Sequence, residues 1–327
     1  MPGSGTISPV SHPTGRQDDR EPAVSIIVPA YNAEATLAET LESALVHSEQ
    51  PVEVICIDDG STDGTLAAAT RFADRVRILA GPNQGVSAAR NRGFAESTGQ
   101  WVVFLDADDL LCPGTLHTRL KMAQGGAYDV IVCNWRDINA EGASVTAEKS
   151  IDMGLIADDS ELAFASTVWA TTAALMFRRS IVEQVGGFRK DLPVIQDARF
   201  AFDAARAAAR FGHSNHIGAQ YRIVEGSLSR RSPEKFYRDI LRNTLQIEAD
   251  WRARGVFTDR RKDAIVGSLN VAARGLFRAG SGDYFEALSA QRRMGGARPK
   301  HSRIAGPLAR VIGVSSARRV LSMLDKD

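Results

Sequence analysis

Three carboxylates directly follow an apolar run in the stretch "WVVFLDADDLL", which begins at Trp101. Asp106, Asp108 and Asp109 repel one another, and burying them costs free energy unless something compensates for their charge. In an extended segment side chains alternate, so Asp106 and Asp108 point the same way. Two oxygen ligands on one side suit a hard divalent cation, Mg²⁺ or Mn²⁺, which also binds substrate phosphates. The alternative is that Asp108 or Asp109 caps a helix that begins near Pro113.

Two further acids, Asp58 and Asp59, precede a glycine turn in "DDGSTDGT". A tight turn with Asp63 as a helix cap explains the end of this motif but not its first two acids. A carboxylate there can accept a hydrogen bond from a ligand N–H. Tyr31, just past another apolar run, offers a flat stacking surface, although a tyrosine in the core or at its rim is also common. A ligand with a base and a diphosphate would explain all three positions together.

Apolar runs and helical spacing predict the elements that position these residues. Short β-branched runs predict strands at 24–29, 52–57, 76–79 and 101–105. Helices separate these strands, and Asn32 is the expected N-cap of the first helix. Strands that alternate with helices predict βαβ units and a parallel sheet covered on both faces. The ligand crevice of such a sheet lies beyond the carboxyl ends of its strands, where "PAYN", "DDGSTD" and "DADD" all fall.

The pattern changes in the second half of the chain. A strand in "TTAALMF", a helix in "QDARFAFDAARAAARF" and a last strand in "AQYRIV" are predicted before residue 230. From Ser232 onward the apolar spacing predicts helices only, one over 236–251 and a second over 265–277. We therefore expect a domain boundary near residue 230.

Composition limits the class of protein. The 327 residues are 44% hydrophobic and 24% charged, as in soluble globular proteins, and the net charge of +1 does not favour nucleic-acid binding. The three cysteines match no zinc or disulfide spacing, which favours a reducing compartment. No stretch approaches the roughly 18 apolar residues of a membrane span, and residues 1–22 lack the apolar core of a signal peptide. We therefore expect a cytoplasmic protein with a disordered arm at 1–22.

The C-terminal tail is strongly basic. From Gln291 to Asp327, nine Lys or Arg oppose two Asp, a balance of +7, whereas the first 290 residues carry −6. Helical spacing along 307–324 places five apolar residues roughly on one side: Leu308, Ile312, Val320, Leu321 and Leu324. Such a segment can lie peripherally at the inner face of the membrane, attracted by anionic lipid. It can equally pack on the other C-terminal helices with its arginines in water.

Four segments together resemble family 2 glycosyltransferases: "VSIIVPAYNAEATLAETLESAL", "VEVICIDDGSTDGT", "GPNQGVSAARNRGFAESTGQWVVFLDADD" and "YRIVEGSLSRR". The resemblance covers roughly Val24–Arg231, in the family's order and spacing. It implies a GT-A fold over 23–230, an α/β architecture with a Rossmann-like, mostly parallel sheet flanked by helices. Residues 231–327 are then an all-helical extension. The resemblance implies that a sugar is transferred from a nucleoside diphosphate sugar to an acceptor, usually with inversion.

The resemblance also implies roles for the residues at the strand ends. Asp108 would bind the Mg²⁺ or Mn²⁺ ion, and Asp106 would lie by the ribose. Asp59, alone or with Asp58, would bind the base. The residues implied to contact the donor are Pro29, Ala30, Tyr31, Asp58, Asp59, Arg90 and Asp106.

The catalytic base is expected in "LPVIQDARF", where the family has a Glu-Asp pair that opens a helix. Here Asp197 is present and the Glu has become Gln196. Without a charged neighbour, the pKa of Asp197 is expected to be less raised than in the usual pair. The alternative for Asp197 is a first-turn acid stabilised by the helix dipole, and Asp191 is the next candidate for the base.

The sequence therefore predicts an inverting, metal-dependent glycosyltransferase with a saccharide or lipid-linked acceptor, in cell-surface polysaccharide or glycoconjugate synthesis. A UDP-sugar is the first candidate for the donor, while guanosine and thymidine nucleotides remain open, because a carboxylate accepts from the ring N–H of all three bases. Arg222, Arg230 and Arg231 are candidate phosphate contacts. The alternative, motivated by Gln196, is a nucleotide-sugar-binding protein with lost or weak transfer activity. A nucleotidyltransferase is less favoured, because "PAYNAEATL" has neither glycine nor a basic residue for a phosphate loop.

Overall fold

A computed structural model describes residues 23–46, 51–166, 168–224, 231–295 and 302–324. Within them, the strands are β1 (Val24–Ala30), β2 (Val52–Asp59), β3 (Arg77–Gly81), β4 (Trp101–Phe104), β5 (Leu110–Leu111), β6 (Val130–Ile138), β7 (Leu175–Arg178) and β8 (Phe211–Arg222). The helices are α1 (Leu37–Leu45), α2 (Thr65–Thr70), α3 (Val86–Ala95), α4 (Thr115–Ala123), α5 (Met153–Ser166), α6 (Arg179–Val185), α7 (Gln196–Arg206), α8 (Pro233–Ala253), α9 (Asp259–Ala279), α10 (Tyr284–Arg293), α11 (Ser302–Ile312) and α12 (Val314–Leu324). A short 3-10 helix, Thr172–Ala174, precedes β7.

The strands form one mixed sheet in the order β3-β2-β1-β4-β7-β6-β8-β5. The first four strands are parallel to one another, as predicted, and β6 and β8 are also parallel. Strand β7 runs antiparallel to β4 and β6, and β5 runs antiparallel to β8. The chain order reverses beside β1, which lies between β2 and β4. Crevices beyond the carboxyl ends of strands at such a point are the usual ligand sites of open α/β sheets.

The central strands are buried along their whole length. All seven residues of β1 and all four of β4 are buried, so neither strand has an alternating, exposed polar face. This pattern is typical of a sheet that helices cover on both sides. The ligand site expected beyond the strand ends is thus built on strands that form the core, which holds the residues just beyond those ends in fixed positions.

Strand β8 is longer than the predicted "AQYRIV" segment and begins at Phe211. Its first half is polar, and the polar side chains have specific partners. His213 Nε2 and Asn134 Oδ1 are 2.6 Å apart, and His216 Nε2 lies 3.1 Å from Thr115 Oγ1. Because hydrogen bonds rather than apolar contacts stabilise this part of the strand, hydrophobic spacing did not reveal it.

The predicted role of Asn32 as the N-cap of the first helix is wrong. Helix α1 begins only at Leu37, after an N-cap position at Thr36. Asn32 has a left-handed φ of 50°, and its Oδ1 accepts a hydrogen bond of 2.8 Å from the Thr62 backbone N–H. Asn32 therefore connects the loops that follow β1 and β2, two of the segments predicted to surround the ligand.

From Pro233 onward the described elements are helices, as predicted. They share the hydrophobic core of the sheet region. The fully buried Trp251 on α8 contacts Phe202 on α7, with ring centroids 6.0 Å apart, and its indole N–H donates to Glu161 Oε2 at 2.7 Å. The domain boundary near residue 230 stays a prediction, because residues 225–230 lie outside the described part of the chain.

The tail forms two helices rather than one, because Gly313 adopts a left-handed φ of 79° between α11 and α12. Ala309, Val314 and Ala317 are buried in the core, whereas Val311 is 83% exposed. The tail thus packs on the other helices, in agreement with one of its two predicted arrangements. The side chains of Ile312, Val320 and Leu324 and the arm at 1–22 lie outside the described residues. None of the described helices combines the length and apolar character that a membrane span requires, and contact with a membrane stays a prediction.

Candidate active site

The residues predicted to contact a nucleoside lie at the carboxyl ends of β1 and β2. Pro29 and Ala30 are buried inside β1, and Ala30 pairs with Asp58 across the parallel ladder. Tyr31 follows directly, with 47% of its surface exposed. A buried strand end followed by an exposed aromatic ring provides a flat surface at the rim of the crevice.

Asp58 and Asp59 are both buried but have different partners. Asp59 accepts hydrogen bonds on both oxygens, from the backbone N–H groups of Gln84 at 2.9 Å and Gly85 at 2.8 Å. It therefore fixes the loop that leads into α3. The Asp58 carboxylate accepts one long bond, 3.4 Å, from the Ser61 N–H. Asp58 thus keeps more capacity than Asp59 to accept a hydrogen bond from a ligand.

Arg90 on α3 is buried and forms an ion pair with Asp106. One guanidinium nitrogen, Nη2, donates to Asp106 Oδ1, and the group lies 4.8 Å from the centre of the Phe188 ring. The other two nitrogens, Nε and Nη1, are buried and have no hydrogen-bond partner among the described residues. The family resemblance implied that Arg90 lies near the donor, which stays a prediction, and the ion pair shows that Arg90 is the counter-charge of Asp106.

Asp109 is fully buried and connects three distant segments. Its Oδ1 accepts from the Arg222 backbone N–H and its Oδ2 from the Thr171 hydroxyl, both at 2.9 Å. The alternative interpretation, in which Asp108 or Asp109 caps a helix, is wrong, because α4 begins at Thr115 without a side-chain cap. Burial, and then the charges of Asp108 and Asp106, raise the pKa of Asp109 well above its usual range.

Asp108 is partly buried between its acidic neighbours. Burial is the main cause that raises its pKa to about 6, and the charge of Asp106 adds to it, while Arg222 and Arg90 partly offset the rise. The Arg222 guanidinium is occupied by protein groups. It donates to the Asp108 carbonyl at 2.9 Å and to Glu39 Oε2 at 2.6 Å. Arg222 therefore holds the backbone of the acidic loop instead of projecting toward a phosphate.

Asp197 lies in the first turn of α7, as predicted. Its Oδ1 accepts from the Ala198 N–H at 2.8 Å, and its Oδ2 accepts a long bond of 3.4 Å from the indole N–H of Trp169. Burial is the main cause that raises its pKa. Asp106 adds to this rise, and Arg90 opposes it. The predicted base and the acidic loop are therefore close enough to interact electrostatically.

The two neighbouring candidates differ from Asp197. Gln196 is buried, and its Oε1 has no hydrogen-bond partner among the described residues. Asp191, the second candidate for the base, forms two hydrogen bonds of 3.0 Å with the Arg189 guanidinium. These bonds are the main cause that lowers the pKa of Asp191. A carboxylate with a lowered pKa is a weaker base, so Asp197 is the better candidate.

Two aromatic residues at the site were not found from the sequence. Trp169 donates to Asp197, and its ring contacts that of Tyr221, with centroids 5.6 Å apart. Burial, followed by the charges of the surrounding carboxylates, raises the pKa of Tyr221, and Asp109 and Asp108 contribute most of the charge effect. No local signal distinguishes these rings from core residues in "STVWATT" and "AQYRIV".

Comparisons with known proteins identify the family of this chain. A sequence profile of glycosyl transferase family 2 matches residues 25–186. The uncharacterized glycosyltransferase YibD of Escherichia coli (strain K12) is 30% identical over 228 residues, which are 68% of this chain and 62% of YibD. The chain belongs to glycosyltransferase family 2. The succinoglycan biosynthesis protein ExoO of Rhizobium meliloti (strain 1021) is 29% identical over 222 residues, 65% of this chain and 64% of ExoO. This family 2 chain thus spans less than two thirds of the length of either curated relative.

Solved structures show the same fold. S. aureus TarS 1–349 superimposes with a TM-score of 0.61 at 20% identity, covering 93% of this chain and 91% of TarS. The mannosyltransferase PcManGT from Pyrobaculum calidifontis, in complex with GDP-Man and Mn²⁺, gives a TM-score of 0.52 at 20% identity over 98% of this chain and 90% of PcManGT. The GT-A fold that the family resemblance implied is confirmed.

A divalent metal ion bound to this family 2 member would have few protein ligands. The described residues contain no group of three or more His, Cys, Asp or Glu arranged for a metal ion. Asp109 has both oxygens occupied, which leaves Asp106 and Asp108. One or two carboxylates, completed by water and substrate phosphates, are the usual set for Mg²⁺. Burial and, after it, repulsion by Asp106 raise the pKa of Asp108, and a divalent cation relieves this repulsion, so the residues fit such an ion.

Proposed function

We propose that this protein is an inverting glycosyltransferase that moves a sugar from a nucleoside diphosphate sugar to an acceptor hydroxyl. The observation that carries the proposal is the electrostatic contact of Asp106 with both Asp108 and Asp197. A pair of acids suited to a metal ion and a separate acid with a raised pKa thus share one crevice. Two structural neighbours support a nucleotide-sugar donor, since TarS is described in complex with UDP-GlcNAc and PcManGT with GDP-Man.

The donor nucleoside is proposed to bind at the ends of β1 and β2. Tyr31 offers a stacking surface beside Pro29 and Ala30, and the free capacity of Asp58 favours it over Asp59 as the acceptor for a ring N–H. UDP-sugars are the first candidates, with guanosine and thymidine nucleotides as the other donors to test. The divalent ion, Mg²⁺ or Mn²⁺, is proposed to bind Asp108 with support from Asp106. When bound, it neutralises the charge that develops on the departing diphosphate.

Asp197 is proposed to act as the general base. Its raised pKa brings it closer to neutral pH than an ordinary aspartate, which suits a group that must accept a proton. It removes the proton of the acceptor hydroxyl while that oxygen attacks the anomeric carbon. The bond to the diphosphate breaks on the opposite face, so one displacement inverts the configuration. The role of the relative ExoO in succinoglycan biosynthesis supports a saccharide or lipid-linked acceptor in polysaccharide or glycoconjugate synthesis.

The second candidate is a nucleotide-sugar-binding protein with lost or weak transfer activity. It is favoured by the buried Gln196, whose unpartnered Oε1 stands where the family has a charged Glu. The two functions differ in turnover and not in donor binding.

The test is a panel of UDP-, GDP- and dTDP-sugars with the purified chain, with and without Mn²⁺. Thermal unfolding reports binding, because a ligand of the folded state raises the melting temperature. Release of the nucleoside diphosphate reports turnover, including slow donor hydrolysis. The proposed function requires a metal-dependent rise in melting temperature together with release for at least one donor. Binding without release would establish the second candidate, and no binding of any donor would overturn both.

A further inference from the structure

Trp169 is a large aromatic side chain exposed at the site. Its surface is 39% exposed, although its neighbours Val168 and Ala170 are buried in the core. Its indole N–H points at Asp197, with 3.4 Å between Nε1 and Oδ2. Any group that lies on the open part of this indole is therefore next to the carboxylate proposed to accept the proton.

The indole is held in place by other rings. Trp135, which is buried, meets it at a centroid distance of 6.0 Å and an interplanar angle of 81°. Tyr221 meets it at 5.6 Å and also at 81°. Such edge-to-face contacts are the favoured geometry of aromatic pairs. The orientation of the Trp169 ring is thus set by the protein before any ligand arrives.

The backbone around Trp169 is anchored as well. The Val168 N–H donates to the Ala163 carbonyl at 3.0 Å, and the Thr171 hydroxyl donates to Asp109. The second oxygen of Asp109 accepts from Arg222, the residue that follows Tyr221. One buried carboxylate therefore positions both the segment with Trp169 and the strand with Tyr221. Trp169 is therefore exposed although the backbone on both sides of it is anchored.

We propose that Trp169 is a platform on which the ring of the acceptor sugar stacks, with the reacting hydroxyl directed at Asp197. The acceptor class is a pyranoside that has one face of C–H groups. Such a face is apolar and packs on an aromatic ring, while the hydroxyls at its edge stay free to bond. This inference rests on the proposed function and adds the chemical class of the second substrate.

The charges around the platform favour a neutral acceptor unit. Four carboxylates lie within electrostatic reach of the Tyr221 hydroxyl, namely Asp106, Asp108, Asp109 and Asp197. The nearby cations, Arg90 and Arg222, are already bonded to protein oxygens. A phosphate placed on Trp169 would meet this negative field, whereas an uncharged sugar ring would not. A polyol phosphate is the ringless, anionic alternative to a pyranoside. It has no ring face to stack on Trp169 and carries a negative charge, so it fits the platform in neither shape nor charge.

Two substitutions separate stacking from hydrogen bonding. Trp169→Phe keeps an aromatic face but removes the N–H that points at Asp197. Trp169→Gln keeps an N–H donor but removes the ring. If the ring is the platform, Trp169→Gln weakens pyranoside binding about tenfold, equivalent to about 1.4 kcal/mol of lost stacking, and Trp169→Phe weakens it much less. Val271→Ala, at a 51% exposed position on α9, is the matched control and changes neither binding nor unfolding.

The probes are a panel of methyl pyranosides, with glycerol 3-phosphate as the ringless anion, in the presence of UDP and Mn²⁺. Saturation-transfer NMR on the full chain reports which ligand protons contact the protein, and titration gives the dissociation constants. We expect contacts concentrated on one C–H face of at least one pyranoside and none for glycerol 3-phosphate. The same experiments on the parent still test the face-on contact if Trp169→Gln does not fold.

Several outcomes would overturn the inference. Two concern the variants: pyranoside binding that Trp169→Gln leaves unchanged, or an equal loss of binding in Trp169→Phe and Trp169→Gln. Two concern the parent: tighter binding of glycerol 3-phosphate than of every pyranoside, or no contact with any pyranoside. Thermal unfolding of the same samples reports nucleotide binding. It therefore distinguishes failure of the platform from failure of the proposed function. A parent that binds the nucleotide but no pyranoside refutes only the platform. A parent that binds none of UDP, GDP and dTDP with Mn²⁺ refutes the proposed function.

Discussion

The acids of the site have separate tasks although they are close in sequence. Asp106 forms an ion pair with Arg90, Asp109 is bonded to backbone and hydroxyl groups, and Asp108 has the raised pKa of a carboxylate without a dedicated counter-charge. Burial and like charge destabilise the ionised form of Asp108, which a divalent cation would reverse. Asp108 thus lowers the stability of the metal-free fold, and it is also the residue proposed to bind the ion.

Asp108→Asn should abolish the metal-dependent part of nucleotide binding while the fold is kept. An amide has the same shape but removes the charge that attracts the cation and the repulsion toward Asp106. We therefore expect the variant to unfold at a higher temperature than the metal-free parent at pH 7. Thermal unfolding with UDP, with and without Mn²⁺, measures both effects. Unchanged Mn²⁺-dependent binding of UDP by the variant would refute the metal assignment.

The same carboxylate predicts a pH dependence. Its pKa in the folded protein is raised to about 6 from an ordinary value near 4, so the folded state binds more protons than the unfolded state between these values. Its contribution to the stability of the metal-free protein is fully present below about pH 4 and is lost as the pH rises through about 6. Stabilisation by Mn²⁺ should therefore be larger at pH 7 than at pH 5, and Asp108→Asn should remove this difference.

Asp197→Asn should lower transfer by about 10²-fold or more while nucleotide binding persists, because the amide cannot accept the proton. Steady-state release of the nucleoside diphosphate, with the acceptor present, measures the loss. Gln196→Glu serves as the comparison. It restores the family's usual pair and should leave an active enzyme. Full turnover by Asp197→Asn would show that a different group accepts the proton.

At the scale of elements, the sequence predicted the strands and helices that depend on contacts between residues close in the chain. It did not predict the features that depend on contacts between distant residues. The strands β1 to β4 and the helices between them follow from apolar runs and helical spacing, and the clustering of Asp58, Asp106 and Asp108 at strand ends follows from the parallel sheet. The role of Asp109 could not be predicted. Its partners lie 62 and 113 residues further along the chain, and no spacing rule connects them. The long β8 was missed for a similar reason, because its polar half is specified by β6.

Asp109→Ala should destabilise the fold by about 2–4 kcal/mol, since the buried N–H of Arg222 and the hydroxyl of Thr171 would lose their acceptors. Urea unfolding followed by circular dichroism gives the free energy of unfolding. Asp74→Ala is the control, because Asp74 is highly exposed and its ion pair within the described part of the chain is with the exposed Arg75 at 3.6 Å. Its effect should stay within about 0.5 kcal/mol. Equal effects of the two substitutions would mean that Asp109 does not connect these segments.

At the scale of the whole molecule, the helices after residue 232 complete the core of the sheet region. Trp251 is enclosed by residues from both parts of the chain, which sequence periodicity could not indicate. The pattern did identify an amphipathic tail, and it left open whether the apolar side faces protein or lipid. Burial of Ala309, Val314 and Ala317 gives the tail a structural task. The opposite, exposed side of the tail is basic, and this is the side that an anionic membrane would contact.

A chain ending at Gly295 should melt about 4 °C or more below the full chain, because removal of α11 and α12 exposes the apolar surface that they cover. Differential scanning calorimetry measures the change. Co-sedimentation with anionic vesicles at low and high salt, on both chains, decides the membrane prediction. An unaltered melting temperature, with vesicle binding that depends on the tail and is lost at high salt, would assign the tail to the membrane and not to the core.

The two bonds of Asp109 also have a consequence for how the protein is made. A ribosome adds about 5–20 residues per second, so Arg222 follows Asp109, 113 positions earlier, by about 6–23 s. During that time β1 to β4 can pair, but the Asp109 carboxylate still lacks the Arg222 N–H that donates to it in the finished fold. The first half of the sheet therefore stays incomplete until β8 is synthesised, and until then the Asp109 carboxylate must remain hydrated. Chaperone dependence and sensitivity to translation speed should concentrate in this interval.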